Sequence, residues 1–181
     1  LAWGKRLFAE IQQGKDSVDP NLKSVVYAVA ALQGDEKMFD YFFQRYKKET
    51  LPEENRRLLR SLGMFRDVTL VKKALTLSQS EVRLQDSYVI PTMVSINPGK
   101  NELLWEWTKK HWPMLQKKYR SGTHMLGSYI RNMSSCADEK MEEDLARFFA
   151  SKKNMRDDVR MVVRQTLEHI EINRRFMKKN G

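Results

Sequence analysis

Proton transfer, metal binding and nucleophilic attack each need particular side chains at particular spacings, and this chain of 181 residues offers few of them. Its three histidines, His111, His124 and His169, stand far apart. None begins the His-Glu-x-x-His run that places two imidazoles one helical turn apart on a metal. His169 and Glu171 are two residues apart and point to different sides of a helix, so they cannot jointly face one ion. No glycine-rich phosphate loop and no Gly-x-Ser-x-Gly elbow occurs. The one cysteine, Cys136, follows Ser134 and Ser135 without a histidine signal nearby and reads as inert; it cannot close an intrachain disulfide or build a Cys/His zinc cluster. Asn132-Met133-Ser134 matches a glycosylation acceptor, but the sequence shows no secretory context for it. No catalytic residue, no metal ligand and no cofactor is assigned to this chain.

Charge is the more informative signal. Thirty-three basic against 23 acidic residues give a net charge of +10, which admits nucleic acid, anionic lipid or acidic peptide as partners and does not choose between them. The cations recur in pairs such as Lys47-Lys48, Arg56-Arg57, Lys72-Lys73, Lys109-Lys110 and Lys117-Lys118, the pattern of solvated helix faces. Trp105, Trp107 and Trp112 have the chemistry to stack on bases, yet at helical spacing among leucines they read as core.

The elements that would position these groups are helices. Only 8 glycines and 5 prolines punctuate the chain. A first helix lies near Trp3 to Gln12. Leu22, Val25, Val26 and Val29 follow the i, i+3, i+4, i+7 spacing, with Tyr27, Ala28 and Ala31 on the other sides, and predict a helix buried all round that ends at Gly34. Phe39, Phe42, Phe43 and Tyr46 repeat the spacing to about Glu49. Thr50 and Glu53 fit a capping box, with Pro52 in the first turn and Leu58, Leu59 and Leu62 buried. Asp67 can cap a helix carrying Leu70, Val71, Ala74 and Leu75. A helix from near Arg83 carries Val89, Ile90, Met93 and Val94, with a kink expected at Pro91 and a stop at Asn97-Pro98-Gly99.

A long helical stretch from Leu103 to Leu115 is expected to bend or break at Pro113 and to end by Gly122. Met125, Tyr129 and Met133 mark a shorter helix, and Asp138 opens another with Met141, Leu145, Phe148 and Phe149. The last is the longest, with Val159, Val162, Val163, Thr166, Leu167 and Ile170 on one face, acids near its start and Lys178-Lys179 at its end. Helix pairs recur at about 35 to 63, 67 to 96, 100 to 135 and 138 to 177, within the roughly 30 to 45 residues of helical-hairpin repeats. The fold class is therefore all-α, a HEAT- or armadillo-like superhelical, concave stack of antiparallel helix pairs forming one domain over residues 1–181. With no initiator methionine before Leu1, the expectation is a fragment whose first helix belongs to a preceding repeat. No apolar run approaches the roughly 18 residues of a membrane span, and with no targeting segment a cytoplasmic location is expected.

An ordered series of motifs carries a resemblance. Arg83-Leu84-Gln85-Asp86, Asn97-Pro98-Gly99, Leu104-Trp105-Glu106-Trp107, Lys110-His111-Trp112, Phe148-Phe149 and a closing Gln165, Glu168, Ile170 and Asn173 together resemble the C-terminal helical, endoplasmic-reticulum-aminopeptidase-like domain of aminopeptidase N-type gluzincins. The resemblance covers nearly the whole chain and departs from the family at His111, where asparagine is frequent, and at Ile96, where some relatives carry a basic residue. Cysteine poverty is closest to prokaryotic members, including the tricorn-interacting aminopeptidases. The resemblance implies a parent zinc metallo-aminopeptidase whose zinc and catalytic glutamate sit on an upstream domain of the same polypeptide. This chain would be its noncatalytic cap, enclosing and positioning peptide substrates.

Within that picture Arg83, Gln85, Asp86 and Lys100 are the candidate peptide-binding residues. In one reading Asp86 receives the free amides of a helix's first turn and Arg83 pairs with it. In the other, Arg83 and Lys100 attract the peptide's C-terminal carboxylate, which a guanidinium can hold with two parallel bonds. Two further functions stay open: a free-standing helical-repeat scaffold for proteins, and, less favoured, a basic nucleic-acid-binding protein whose affinity would fall steeply with salt.

Overall fold

The computed structural model describes residues 2–14, 18–119, 124–135 and 138–180, so Gly122 and Cys136 lie outside the described residues. The chain is all-α, and among the described residues there is no strand. Its helices are α1 (Ala2–Gln12), α2 (Pro20–Leu32), α3 (Glu36–Lys48), α4 (Pro52–Leu62), α5 (Val68–Ser80), α6 (Val89–Ile96), α7 (Asn101–Lys118), α8 (Met125–Arg131), α9 (Glu139–Ala150) and α10 (Arg160–Asn180). Short 3-10 turns cover Leu84–Asp86, Asn132–Ser135 and Asp157–Val159. The residues group into two compact units, Leu1–Asn97 and Pro98–Gly181.

In the first unit α1 packs on α2, α3 on α4 and α5 on α6, while α2 and α6 both lie against α4. Phe8, Tyr27, Phe39, Phe42 and Phe65 form a continuous aromatic core, with ring centroids 5.3 Å apart for Phe8 and Phe42 and 5.2 Å for Phe39 and Phe65. Leu58, Leu59 and Leu62 of α4 are buried in it, as their spacing predicts. A polar centre sits beside the rings. Glu54, 7% exposed, accepts from the phenol of Tyr27, from Arg45 at 3.3 Å and from Arg57 at 3.1 Å. Burial first, and then the Glu54 carboxylate, push the Tyr27 phenol well above its ordinary pKa, so it remains a donor.

Several local expectations are corrected here. The side of α2 that enters the core is Val26, Tyr27, Ala30 and Ala31, whereas Leu22 and Val25 are exposed and Val29 is half-buried. Tyr27 decides the rotation: its ring packs on Phe8 and Phe42 while its hydroxyl reaches Glu54. The capping box at Thr50 does not form. Leu51 occupies the cap position of α4 without a side-chain bond, and the Glu49 carboxylate accepts instead from the Thr50 and Leu51 amides at 2.9 and 3.0 Å. Asp67 does cap α5, accepting from Thr69 and Leu70. Pro91 lies in the first turn of α6, where no intrahelical donor is required, so the expected kink has no cause.

The stop after α6 also ties the unit together. Gly99 takes φ of +72°, and the Asn97 side-chain amide donates to the carbonyls of Gly63 at 3.0 Å and Phe65 at 2.8 Å. Gly63 allows this approach, because a Cβ there would stand 2.6 Å from the Cβ of Met93 and 2.8 Å from the carbonyl oxygen of Ile90.

In the second unit Trp105 and Trp112 of α7 pack edge-on against Phe148 and Phe149 of α9, and α10 lies on α8 and α9. The three tryptophans of α7 are buried, as read from their spacing. Helix α7 runs unbroken through Pro113, which faces solvent, where water can replace the missing donor. The Arg156 guanidinium closes its C-terminal end by donating to the carbonyls of Gln116 at 3.0 Å and Tyr119 at 2.8 Å. Asp138 caps α9 as expected, and Val163, Thr166 and Ile170 form the buried stripe of α10.

Candidate functional site

The valine face that α2 leaves out of the core borders an open groove. Val25, Ala28 and Val29 of α2, Arg56, Arg60 and Ser61 of α4, and Tyr88, Val89, Thr92 and Met93 line a space of about 420 Å³. A second recess of about 390 Å³ shares Ser24, Arg56 and Arg60 with it and adds Pro52, Glu53 and Arg57. Both lie wholly within the first unit. The floor is apolar and one rim is guanidinium.

The rim follows from the sequence of α4. Leu58, Leu59 and Leu62 turn into the core, which leaves Arg56 and Arg60, four residues apart, stacked one turn above the other on the groove side. The three arginines are not equivalent. Arg57 is engaged by Glu53 and Glu54 and belongs to the buried polar centre. Arg56 stands 3.7 Å from the carboxylate of Asp86. Arg60 is exposed and has no ion-pair partner among the described residues.

Of the residues singled out from sequence, Gln85 and Asp86 lie in the 3-10 turn Leu84–Asp86, Arg83 stands at its start, and Lys100 precedes α7 in the second unit. Arg83 and Gln85 are exposed. Asp86 does not cap a helix: α6 begins after Tyr88 with no side-chain cap, because the intervening turn carries Asp86 away from the first free amides. Its partner is Arg56, not Arg83. Burial raises the Tyr46 phenol's pKa, and a backbone hydrogen bond from Arg83 partly offsets that rise. The sequence reads Arg56, paired with Arg57, as a solvated helix face and does not single out Arg60, because a basic residue on an amphipathic helix looks the same whether it faces bulk water or an apolar groove. The usable signal was the i, i+4 spacing of Arg56 and Arg60 together with that of Val25 and Val29.

The other motif residues are structural. His111 stacks on Trp107 with centroids 4.3 Å apart, and its Nδ1 lies 2.7 Å from the Trp107 carbonyl oxygen. Asn173 donates to the Ser134 carbonyl at 2.8 Å. A recess of about 260 Å³ between α7 and α9 contains Lys109, which is bonded to Glu106 and Asp144. Among the described residues no three of His, Cys, Asp and Glu converge as a zinc site would require. No helix among them is long and apolar enough to cross a membrane.

Comparison with known proteins gives the chain a family. The ERAP1-like C-terminal domain family matches residues 1–172. Glutamyl aminopeptidase of Bitis rhinoceros is 30% identical over 129 residues, which is 70% of this chain and 14% of that protein. Aminopeptidase 2 of Candida albicans is 30% identical over 158 residues, covering 85% of this chain and 17% of that protein. Probable aminopeptidase 2 of Sulfurisphaera tokodaii is 34% identical over 119 residues, covering 65% and 15%. The chain thus spans less than a fifth of the length of each of these relatives. The chain belongs to the ERAP1-like C-terminal domain family of aminopeptidases.

Proposed function

We propose that this chain is the noncatalytic C-terminal domain of a zinc aminopeptidase, capping an upstream catalytic domain and helping to enclose and position peptide substrates. Zinc and the general base would belong to that upstream domain, and a cytoplasmic enzyme remains the reading of its location. The observation that carries the proposal is the groove over α2, α4 and α6, whose apolar floor and guanidinium rim suit an extended peptide ending in a carboxylate. Helix α4 touches both α2 and α6, so the three present one continuous face to a ligand. Arg60 would hold the carboxylate, with Arg56 one turn away, and Arg83 would add to the attractive field.

The test is kinetic and uses the full-length enzyme. Arg60→Ala should raise KM for long peptides with a free C-terminus by about 5- to 150-fold, corresponding to ~1–3 kcal/mol for a charged hydrogen bond. Single-residue amide substrates should be spared, since they cannot reach the groove. Arg83→Ala should act in the same direction. Equal losses on both substrate classes would contradict the reading.

A further inference from the structure

We propose that Asp86 sets the selectivity of this groove by acting as a built-in carboxylate that competes with the ligand for Arg56. This rests on the groove being a peptide-carboxylate site, and it adds a residue that limits binding to those that promote it.

The two members of the pair are unequally mobile. Asp86 is fixed: its amide donates to the Arg83 carbonyl at 2.9 Å, and the buried Ser87 closes the same turn with its hydroxyl 2.6 Å from the Leu84 carbonyl oxygen. Its side chain is 21% exposed, against 55% for Arg56, which sits on a long, flexible arm. At 3.7 Å the two attract as charges but do not hydrogen-bond, so the donors of Arg56 stay open to another acceptor. Arg57, by contrast, is committed to two carboxylates of its own helix.

An incoming carboxylate therefore meets one unopposed guanidinium, Arg60, and one already partly neutralised. To recruit Arg56 it must draw that side chain from Asp86 while facing the field of Asp86 itself. A peptide ending in an amide carries no charge to be repelled and uses the apolar floor alone. Asp86 should thus lower affinity for acid-ended peptides and leave amide-ended ones unaffected.

Calorimetric titration of the 181-residue chain with a peptide ending in leucine, prepared as free acid and as amide, tests this. Asp86→Asn, which keeps the shape and removes the charge, should tighten the free acid by about 3- to 10-fold at low salt, with the gain fading near ~1 M salt. The amide should change by less than about 2-fold, within the usual scatter for a surface substitution. Arg56→Gln should erase the gain when combined with Asp86→Asn, and alone should cost the free acid less than Arg60→Ala does. Those single-arginine variants decide the matter even if Asp86→Asn fails to fold. If the unaltered chain shows no preference for acid over amide, the groove reading falls and the proposal with it. If the preference exists and Arg60→Ala removes it, but Asp86→Asn leaves the free acid unchanged or weakens it, the proposal alone is overturned.

Discussion

The side-chain amide of Asn97 reaches back 32 residues to donate to the carbonyl of Phe65 at 2.8 Å, and its second hydrogen goes to Gly63. This residue of the Asn-Pro-Gly turn is 2% exposed and stitches the end of α6 to the turn after α4. Asn97→Ala would leave two buried carbonyls with fewer donors and should cost about 1–3 kcal/mol in urea unfolding. A change below about 0.5 kcal/mol would show that the amide is not needed.

Glu54 is the charge on which the polar centre of the first unit depends. Its removal in Glu54→Ala leaves the buried phenol of Tyr27 without its acceptor and Arg57 with Glu53 alone, so the loss should be about 1–3 kcal/mol. Because α2, α3 and α4 meet there, the aromatic core of that unit should loosen with it. Near-ultraviolet circular dichroism reports the rings directly, and an unchanged spectrum with unchanged stability would count against the network.

A pH dependence follows from Lys109 and Asp144. The hydrogen bond from Lys109 is the main reason the Asp144 carboxyl is held below its ordinary pKa, and Trp105 adds a second bond at 2.7 Å. For Lys109 burial disfavours the charge, but its bonds to Asp144 and Glu106 outweigh that and raise its pKa. A lowered carboxylate stabilises the fold above its unfolded pKa of about 4 and loses that contribution as pH falls through the folded value. A raised lysine stabilises below its unfolded pKa of about 10.4 and loses its contribution as pH rises through the folded value. Asp144→Asn should therefore flatten the acid limb of the stability profile, read as the midpoint of urea unfolding against pH. An unchanged acid limb would contradict the assignment.

Helix identity was legible wherever a local rule was strong. Asp67, Asp138 and the Asn97-Pro98-Gly99 stop act as local chemistry dictates, and the spacing of Leu58, Leu59 and Leu62 marks the buried side of α4. Rotation about a helix axis was not legible where two apolar faces compete. In α2 the valines have the better period, yet the core takes Tyr27 because Glu54, 27 residues later, offers its hydroxyl an acceptor. The same long-range choice exposes Val25 and creates the groove. Asp86 likewise looked like a cap in sequence, since nothing local discloses that Arg56, on another helix, lies 3.7 Å away.

If the carboxyl end of a peptide rests on α2, α4 and α6, site-specific photo-crosslinking should label those helices. A peptide carrying a benzophenone side chain at its C-terminal residue would be bound to the chain, irradiated and mapped by mass spectrometry. Adducts are expected at Val25, Val29 or Met93, suppressed by excess unlabelled free-acid peptide and diminished in Arg60→Ala. Adducts concentrated on α7, α9 or α10, or labelling that Arg60→Ala leaves untouched, would contradict it.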